Sequence, residues 1–354
     1  MMTLRELREK AEAGYDDELS AYAQITQLRK GATQNGKPFF DLDLADSTDK
    51  ASIKIWSATP AFAFLEKAKT SDAIELTGLF HVNQYGLNVN QPSARFLSAT
   101  EKEELFAGSE EQKQRSDADW KFLKEICSSL DEPCLRAICE LALEKYEKKW
   151  LRAAAARNYH HARRGGLLEH TSQMLRCAQA LAPLYKEISP ALLYAGVLFH
   201  DIGKLWENDY EEQGFTSPYN RTGELMGHIS LGVEVANQLW REAEQKNPEI
   251  FQNAKSAELI RQHLLHLIIS HHGELEFGSP ITPRTPEAWM LHHIDNIDAK
   301  IEMLRLAYAE KPQLAPGIFE ARRPLTGSVA LPLSCVLAPQ PVESAPILRN
   351  EIPI

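Results

Sequence analysis

Little in this sequence points to a lipid or to the outside of a cell. The opening stretch, MMTLRELREKAEAGYDDELSAY, holds no apolar core of the secretory kind. No apolar run approaches the roughly 20 residues that span a bilayer. Cysteine is scarce: Cys127, Cys134, Cys139, Cys177 and Cys335 form no CxxC pair. That reads as free, mostly buried thiols in a reducing compartment rather than a disulfide framework. A cytoplasmic location with no membrane partner is the expectation. Basic charge is also in deficit, with 39 Lys and Arg against 49 Asp and Glu. A net charge of −10 argues against a wholly basic nucleic-acid coat but leaves room for a local basic groove. There is no internal repeat.

A phosphate loop is nearly present, and then missing. Residues 31–38, GATQNGKP, approach the pattern GxxxxGK[ST], but Pro38 stands where a magnesium-binding hydroxyl is required. A strand follows instead of a helix. Asn35-Gly36 is better read as a tight hairpin turn. Around it, AYAQITQLRKG, KPFFDLDLADS, KASIKIWSA and AIELTGLFHVNQYGLNVN alternate polar and apolar residues, as half-buried strands do. With one helical insertion near PAFAFLEKAKT (60–70), residues 18–100 predict a small Greek-key barrel of the OB type. Such barrels hold single strands through basic and aromatic side chains. Arg29, Lys30, Lys37, Phe39, Lys54, Trp56 and Tyr85 are the candidates, with Lys37 and Trp56 foremost. Any one of the aromatics would equally suit the barrel core.

The rest divides by composition. Residues 1–17 read as a short charged helix, and EKEELFAGSEEQKQRS (101–116) as a polar linker. Residues 117–310 read as helix after helix. From 311 the chain carries eight prolines and few charges, which predicts an extended tail draped over another surface or partly disordered.

Eleven of the twelve histidines fall after residue 159. In AGVLFHDIGKLWEN an apolar helix, opened by Ser189 and Pro190, ends on His200-Asp201. Burial penalises both, so the pair needs a compensating partner, and a divalent cation suits imidazole and carboxylate together. Adjacent residues cannot enclose an ion, so ligands are expected from other helices. His170 stands in GGLLEHT, His228 in GELMGHI and His271-His272 in LIISHHGE. HHIDNIDAK carries Asp295, with Thr285 capping its helix.

In order and context, GGLLEHT, LFHDIGK, GHI, ISHHG and HHIDNIDAK resemble the HD-domain metal-dependent phosphohydrolase superfamily over about residues 150–300. With an OB-type barrel ahead of it, the whole chain resembles the YhaM-type 3'→5' exoribonucleases, a family that pairs these modules. The tail beyond 311 matches least well. The resemblance implies a multidomain chain, an OB-type β-barrel followed by an all-α HD domain. It implies that His170, His200, Asp201 and Asp295 hold a first metal ion. Asp201 would bridge to a second ion bound by His228 and by His271, with His272 as the substitute for His271. Two cations would clamp a phosphodiester and activate a water. Catalytic roles fall to Asp201 and to Lys204, which is placed to neutralise phosphate or hold Asp201. Mn2+ leads as the ion, with Co2+, Fe2+, Mg2+ and Zn2+ as alternatives.

KYEKKWLRAAAARNYHHARR (145–164) holds seven Lys/Arg and one Glu, with aromatics interleaved. That suits a single strand, pairing phosphates and stacking bases. His160, His161, Arg163 and Arg164 are the substrate contacts expected here, with Tyr219 and Arg221 weaker candidates in a polar loop. His292 or His293 could orient a ligand; His263 and His266 read as ordinary histidines, and His81, in a strand, is left unassigned. The partner expected is single-stranded RNA or DNA, and a homo-oligomer would suit a processive enzyme. The leading function is a metal-dependent 3'→5' exonuclease releasing nucleoside 5'-monophosphates. The alternatives are a phosphohydrolase of small nucleotides with a regulatory barrel, and a non-catalytic single-strand binder with a structural metal.

Overall fold

Thr3 opens the first helix: its hydroxyl accepts the Glu6 N–H while the Glu6 carboxylate accepts the Thr3 N–H. This helix, α1 (Leu4–Glu12), buries Leu4, Leu7 and Ala11 in the core of the strands that follow. The computed structural model describes residues 2–83, 86–108, 110–156, 161, 163–209, 214–215, 218, 220–310, 312–321 and 324–333, without the side chains of 254, 255, 309 and 310. It forms two units, Met1–Asp298 and Ala299–Ile354.

After α1 the first unit continues with β1 (Leu19–Ala32), β2 (Pro38–Ala45), β3 (Lys50–Trp56), α2 (Pro60–Leu65), β4 (Ala73–Asn83) and β5 (Gly86–Phe96). All pairings are antiparallel, in the order β3-β2-β1-β4-β5. Alternation sets the faces: in β3, Ala51, Ile53 and Ile55 are buried while Ser52, Lys54 and Trp56 face out. Asn35-Gly36 lies in the β1–β2 hairpin turn, closed by the Thr33 N–H on the Lys37 carbonyl. The sheet is OB-like but does not close into the expected barrel. β3 and β5 lie side by side, yet no ladder joins them among the described residues. β5 itself supplies a reason. Pro92 has no N–H to give a ladder, and Gln91 beside it stands at φ +51, out of the extended region.

The stretch 101–116, read as a linker, is helical: α3 (Ala99–Ala107) and α4 (Glu110–Ser128) flank Gly108. Its Glu, Lys and Gln residues are polar but good helix formers. Ser98 caps α3 with Glu101, which Arg95 also grips at 2.7 Å. Polarity marked an exposed helix face.

α5 (Pro133–Trp150), α6 (Gly166–Leu181), α7 (Pro190–Phe199), α8 (Lys204–Glu207), α9 (Arg221–Lys246), α10 (Ala254–Ser270) and α11 (Pro286–Glu310) follow. They share one core with α4, in which Leu123, Leu135, Trp150 and Phe199 are almost wholly buried. The second unit holds a three-stranded antiparallel sheet of Gln313–Ala315, Ile318–Glu320 and Ser328–Ala330. The described part of the proline-rich tail is therefore a small sheet, its turns taken at Pro316-Gly317 and around Gly327. Residues 334–354 lie outside the described residues. No described helix is long and apolar enough to cross a membrane.

Candidate metal centre

Helix ends deliver half of the centre. Ser189 caps α7 by accepting the Leu192 N–H, Pro190 fills its first turn, and the helix is buried on every side. It ends at His200, and a tight turn through Asp201 and Gly203 starts α8 at Lys204. Only glycine fits that turn: a Cβ on Gly203 would lie 1.9 Å from the His228 carbonyl oxygen. α10 likewise ends at His271. Helix interiors deliver the rest. His170 comes from α6, Asp295 from α11, and His228 from α9 just past a kink at Gly227, where φ is +69.

Asp201 is the hub. Its Oδ2 lies 3.3 Å from His200 Nε2, and its Oδ1 lies 3.5 Å from His228 Nε2 and 3.6 Å from His271 Nε2. Asp295 Oδ1 is 3.4 Å from His170 Nε2. These gaps are long for hydrogen bonds. They come close to the spacing, roughly 3.0–3.4 Å, of donors held about 2.1 Å from a shared cation. Nε2 of His200, His228 and His271 and Oδ1 of Asp201 are buried with no hydrogen-bond partner. Each such atom costs about 1–3 kcal/mol if left so. Four of them facing one another therefore fit a divalent cation site. His170, His200 and Asp201 form one group of donor atoms within reach of an ion, and His228, His271 and His272 another.

The far ring nitrogens fix the tautomers. Nδ1 of His200 donates to the Val197 carbonyl and Nδ1 of His271 to the Ile268 carbonyl, both at 2.7 Å. Each Nε2 is left as a lone pair aimed at the hub. His170 Nδ1 meets Asp298 Oδ2 at 2.7 Å, and His228 Nδ1 meets Glu207 Oε1 at 3.1 Å. Burial lowers the His170 pKa, but Asp295 and Asp298 outweigh it and carry the ring up to about 9. Burial, aided by His272, drives His271 down, so that ring is neutral.

A helical domain with a histidine–aspartate doublet at the end of a buried helix, ringed by further imidazoles, is an HD domain, and the HD-domain family model matches residues 167–300. The chain belongs to the family of the 3'-5' exoribonuclease YhaM. It is 33% identical over 323 residues to that protein of Oceanobacillus iheyensis, covering 86% of this chain and 90% of that one. Against the Bacillus subtilis protein it is 30% identical over 306 residues, covering 86% and 91%.

The structure thus brings His170, His200, Asp201, Lys204, His228, His271 and Asp295 together, with His272 beside them. Other expected contacts lie elsewhere. His161, expected at the phosphate, is buried behind His170, with Nε2 on Asp298 at 2.9 Å. Arg163 binds Glu169, and Arg164 donates to the Gly214 carbonyl. Lys37 and Trp56 belong to the sheet, the ammonium 5.6 Å from the ring centre, with Phe39 and Lys54 adjoining. His292 Nδ1 meets the His271 carbonyl oxygen at 3.0 Å, whereas His293 stacks on Trp289 at the surface. Tyr85, Tyr159, His160 and Tyr219 lie outside the described residues. Two acids that back the rings of His228 and His170, Glu207 and Asp298, went unread. The signal was present: Asp298 is three residues beyond Asp295 and so shares its helix face.

Proposed function

We propose that this chain removes nucleotides one at a time from the 3' end of single-stranded RNA, as a metal-dependent exonuclease that releases nucleoside 5'-monophosphates. The observation that carries the reading is the set of buried, unpartnered donor atoms converging on Asp201. In this reading His170, His200, Asp201 and Asp295 hold one divalent cation. Asp201 also reaches a second, shared with His228 and His271, and His272 stands close enough to contribute. Two bound cations, manganese the first choice, would polarise the phosphodiester and acidify a water. Lys204 keeps Asp201 ionised and oriented through its 2.5 Å contact. The rings of His200 and His271 hold their lone pairs on the hub because their other nitrogens are fixed by backbone. Upstream, Trp56 and Phe39 offer ring faces to bases, while Lys37 and Lys54 supply cations beside them. Free buried thiols and an RNA substrate suit the cytoplasm.

Incubation with Mn2+ and 5'-labelled RNA tests the reading. A ladder that shortens from the 3' end supports it. Hydrolysis of small nucleotides alone would replace it with a phosphohydrolase, and a metal-dependent shift without cleavage would leave only a binding protein. Parallel DNA substrates measure the preference between the two nucleic acids.

A further inference from the structure

His170 is held differently from the histidines at the helix ends. His200 and His271 close their helices, where the last carbonyls lack an N–H of their own, and each ring donates to the carbonyl three residues back. His170 lies inside α6, where the carbonyl three residues back already serves the helix and also accepts the Thr171 hydroxyl. An acceptor has to come from another element. α11 supplies it as Asp298 Oδ2, 2.7 Å from His170 Nδ1.

The same oxygen accepts a second donor, His161 Nε2 at 2.9 Å. Both lengths are those of hydrogen bonds, unlike the 3.3–3.6 Å gaps across the metal centre. This trio is therefore a support and not another cation cage. It is also buried: His161, His170 and Asp298 are 2%, 0% and 6% exposed. His161 stands at φ +45, a conformation that residues other than glycine rarely adopt. It is pressed against the start of α6 so closely that a Cβ on Gly166 would lie 2.0 Å from the His161 carbonyl oxygen. Glu169, from the same helix, reaches 3.6 Å from the other His161 nitrogen. A residue pinned in an unusual backbone state, buried, and aimed at one carboxylate oxygen is built for that contact.

We propose that Asp298 is the positioning residue for His170 and that His161 holds Asp298 in place. Together they set His170 as the Nδ1–H tautomer, turn its Nε2 lone pair into the metal centre and raise its basicity. His161 thus acts through Asp298 and does not touch substrate. The proposal rests on the metal-centre reading of His170.

Titration of the whole metal-free chain with Mn2+ in a calorimeter tests it, together with nitrogen NMR of 15N-histidine-labelled protein loaded with diamagnetic Zn2+, where a bound ring keeps a single N–H. D298N should weaken Mn2+ binding about 10–100-fold. The His170 signals should lose the single-tautomer pattern. At saturating Mn2+ the KM for RNA should stay at the wild-type value while kcat partly recovers, a split that loss of fold does not produce. H161Q should move both readouts the same way by less, and it decides the matter if D298N does not fold. Wild-type Mn2+ affinity and an unchanged His170 tautomer in the folded variants would overturn the proposal. H170A is the control: if it binds Mn2+ as the wild type does, the metal-centre reading itself falls.

Discussion

Lys204 Nζ lies 2.5 Å from Asp201 Oδ2, and both residues are almost wholly buried. Burial works against both charges, but Lys204 with His200 and His228 outweighs it for Asp201, and Asp201 with Asp295 and Glu207 outweighs it for Lys204. The Asp201 carboxyl is held well below the usual carboxylate range, and the Lys204 ammonium is pushed above its own. The carboxylate is therefore ionised, with Oδ2 occupied by the ammonium and Oδ1 turned to His228 and His271.

Substituting Asp201 should affect chemistry and stability unequally. Asp201→Asn should reduce RNA cleavage by more than the roughly 10–100-fold that follows loss of a group merely supporting a ligand. Asp201→Ala should also destabilise the metal-free protein by about 3–5 kcal/mol, because it strands a buried ammonium. Thermal melts beside timed cleavage assays separate the two. Full activity in Asp201→Asn would remove Asp201 from the centre.

Metal removal should be reversible and visible without any substrate. Chelation should lower the melting temperature, and Mn2+ should restore it. At a hundred times its dissociation constant, a ligand of the folded state alone adds about 2.7 kcal/mol. A melting temperature indifferent to chelator and to Mn2+ would contradict the cation site.

The outer face of the strand sheet should govern affinity and leave the bond-breaking step alone. Trp56→Ala should weaken single-strand binding by about 1–3 kcal/mol, the usual worth of one base stacked on an aromatic ring. Lys37→Glu should weaken it too and flatten its dependence on salt. Fluorescence anisotropy with a long RNA, set against kcat on a dinucleotide, reads both. Unchanged affinity in the double variant would take the sheet out of substrate binding.

Glu169 makes the acid limb of stability testable. Burial opposes its ionisation, but His161 and then Arg163 draw its pKa from an ordinary 4.5 down to about 2. A depressed pKa adds stability that is full above 4.5 and disappears as pH falls to about 2. At neutral pH that amounts to roughly 3 kcal/mol. Glu169→Gln should therefore be less stable than wild type at pH 7, with the gap closing between pH 4.5 and 2. Urea unfolding at several pH values measures it, and a gap that stays constant would refute the assignment.

Gly203→Ala should disturb the centre without touching a ligand. The added carbon would press on the His228 carbonyl oxygen and on the α9 backbone beyond it. A cost of about 1–3 kcal/mol or more is expected, together with weaker Mn2+ binding as His228 shifts. A fully stable variant with normal metal affinity would show that the turn can relax.

Alternation and helix caps are local properties, so the strands around Asn35-Gly36, the start of α7 at Ser189-Pro190 and the end of α10 at His271 were all open to reading from the chain. The histidine and aspartate signals were legible for a related reason: a charged doublet closing a greasy helix is costly unless something pairs with it. The sequence alone therefore determined the strands of the first sheet, the helices that carry the acids and imidazoles, and which family the chain resembles. Only the tertiary structure decided which of them meet. It left the sheet unclosed at Pro92, placed helices where a linker was read, buried His161 behind Asp298, and set Glu207 behind His228. The reason is that capping and periodicity act over a few neighbouring residues. Facing side chains from α6, α7, α9, α10 and α11 is settled by how five helices pack, and no local pattern of residues encodes that.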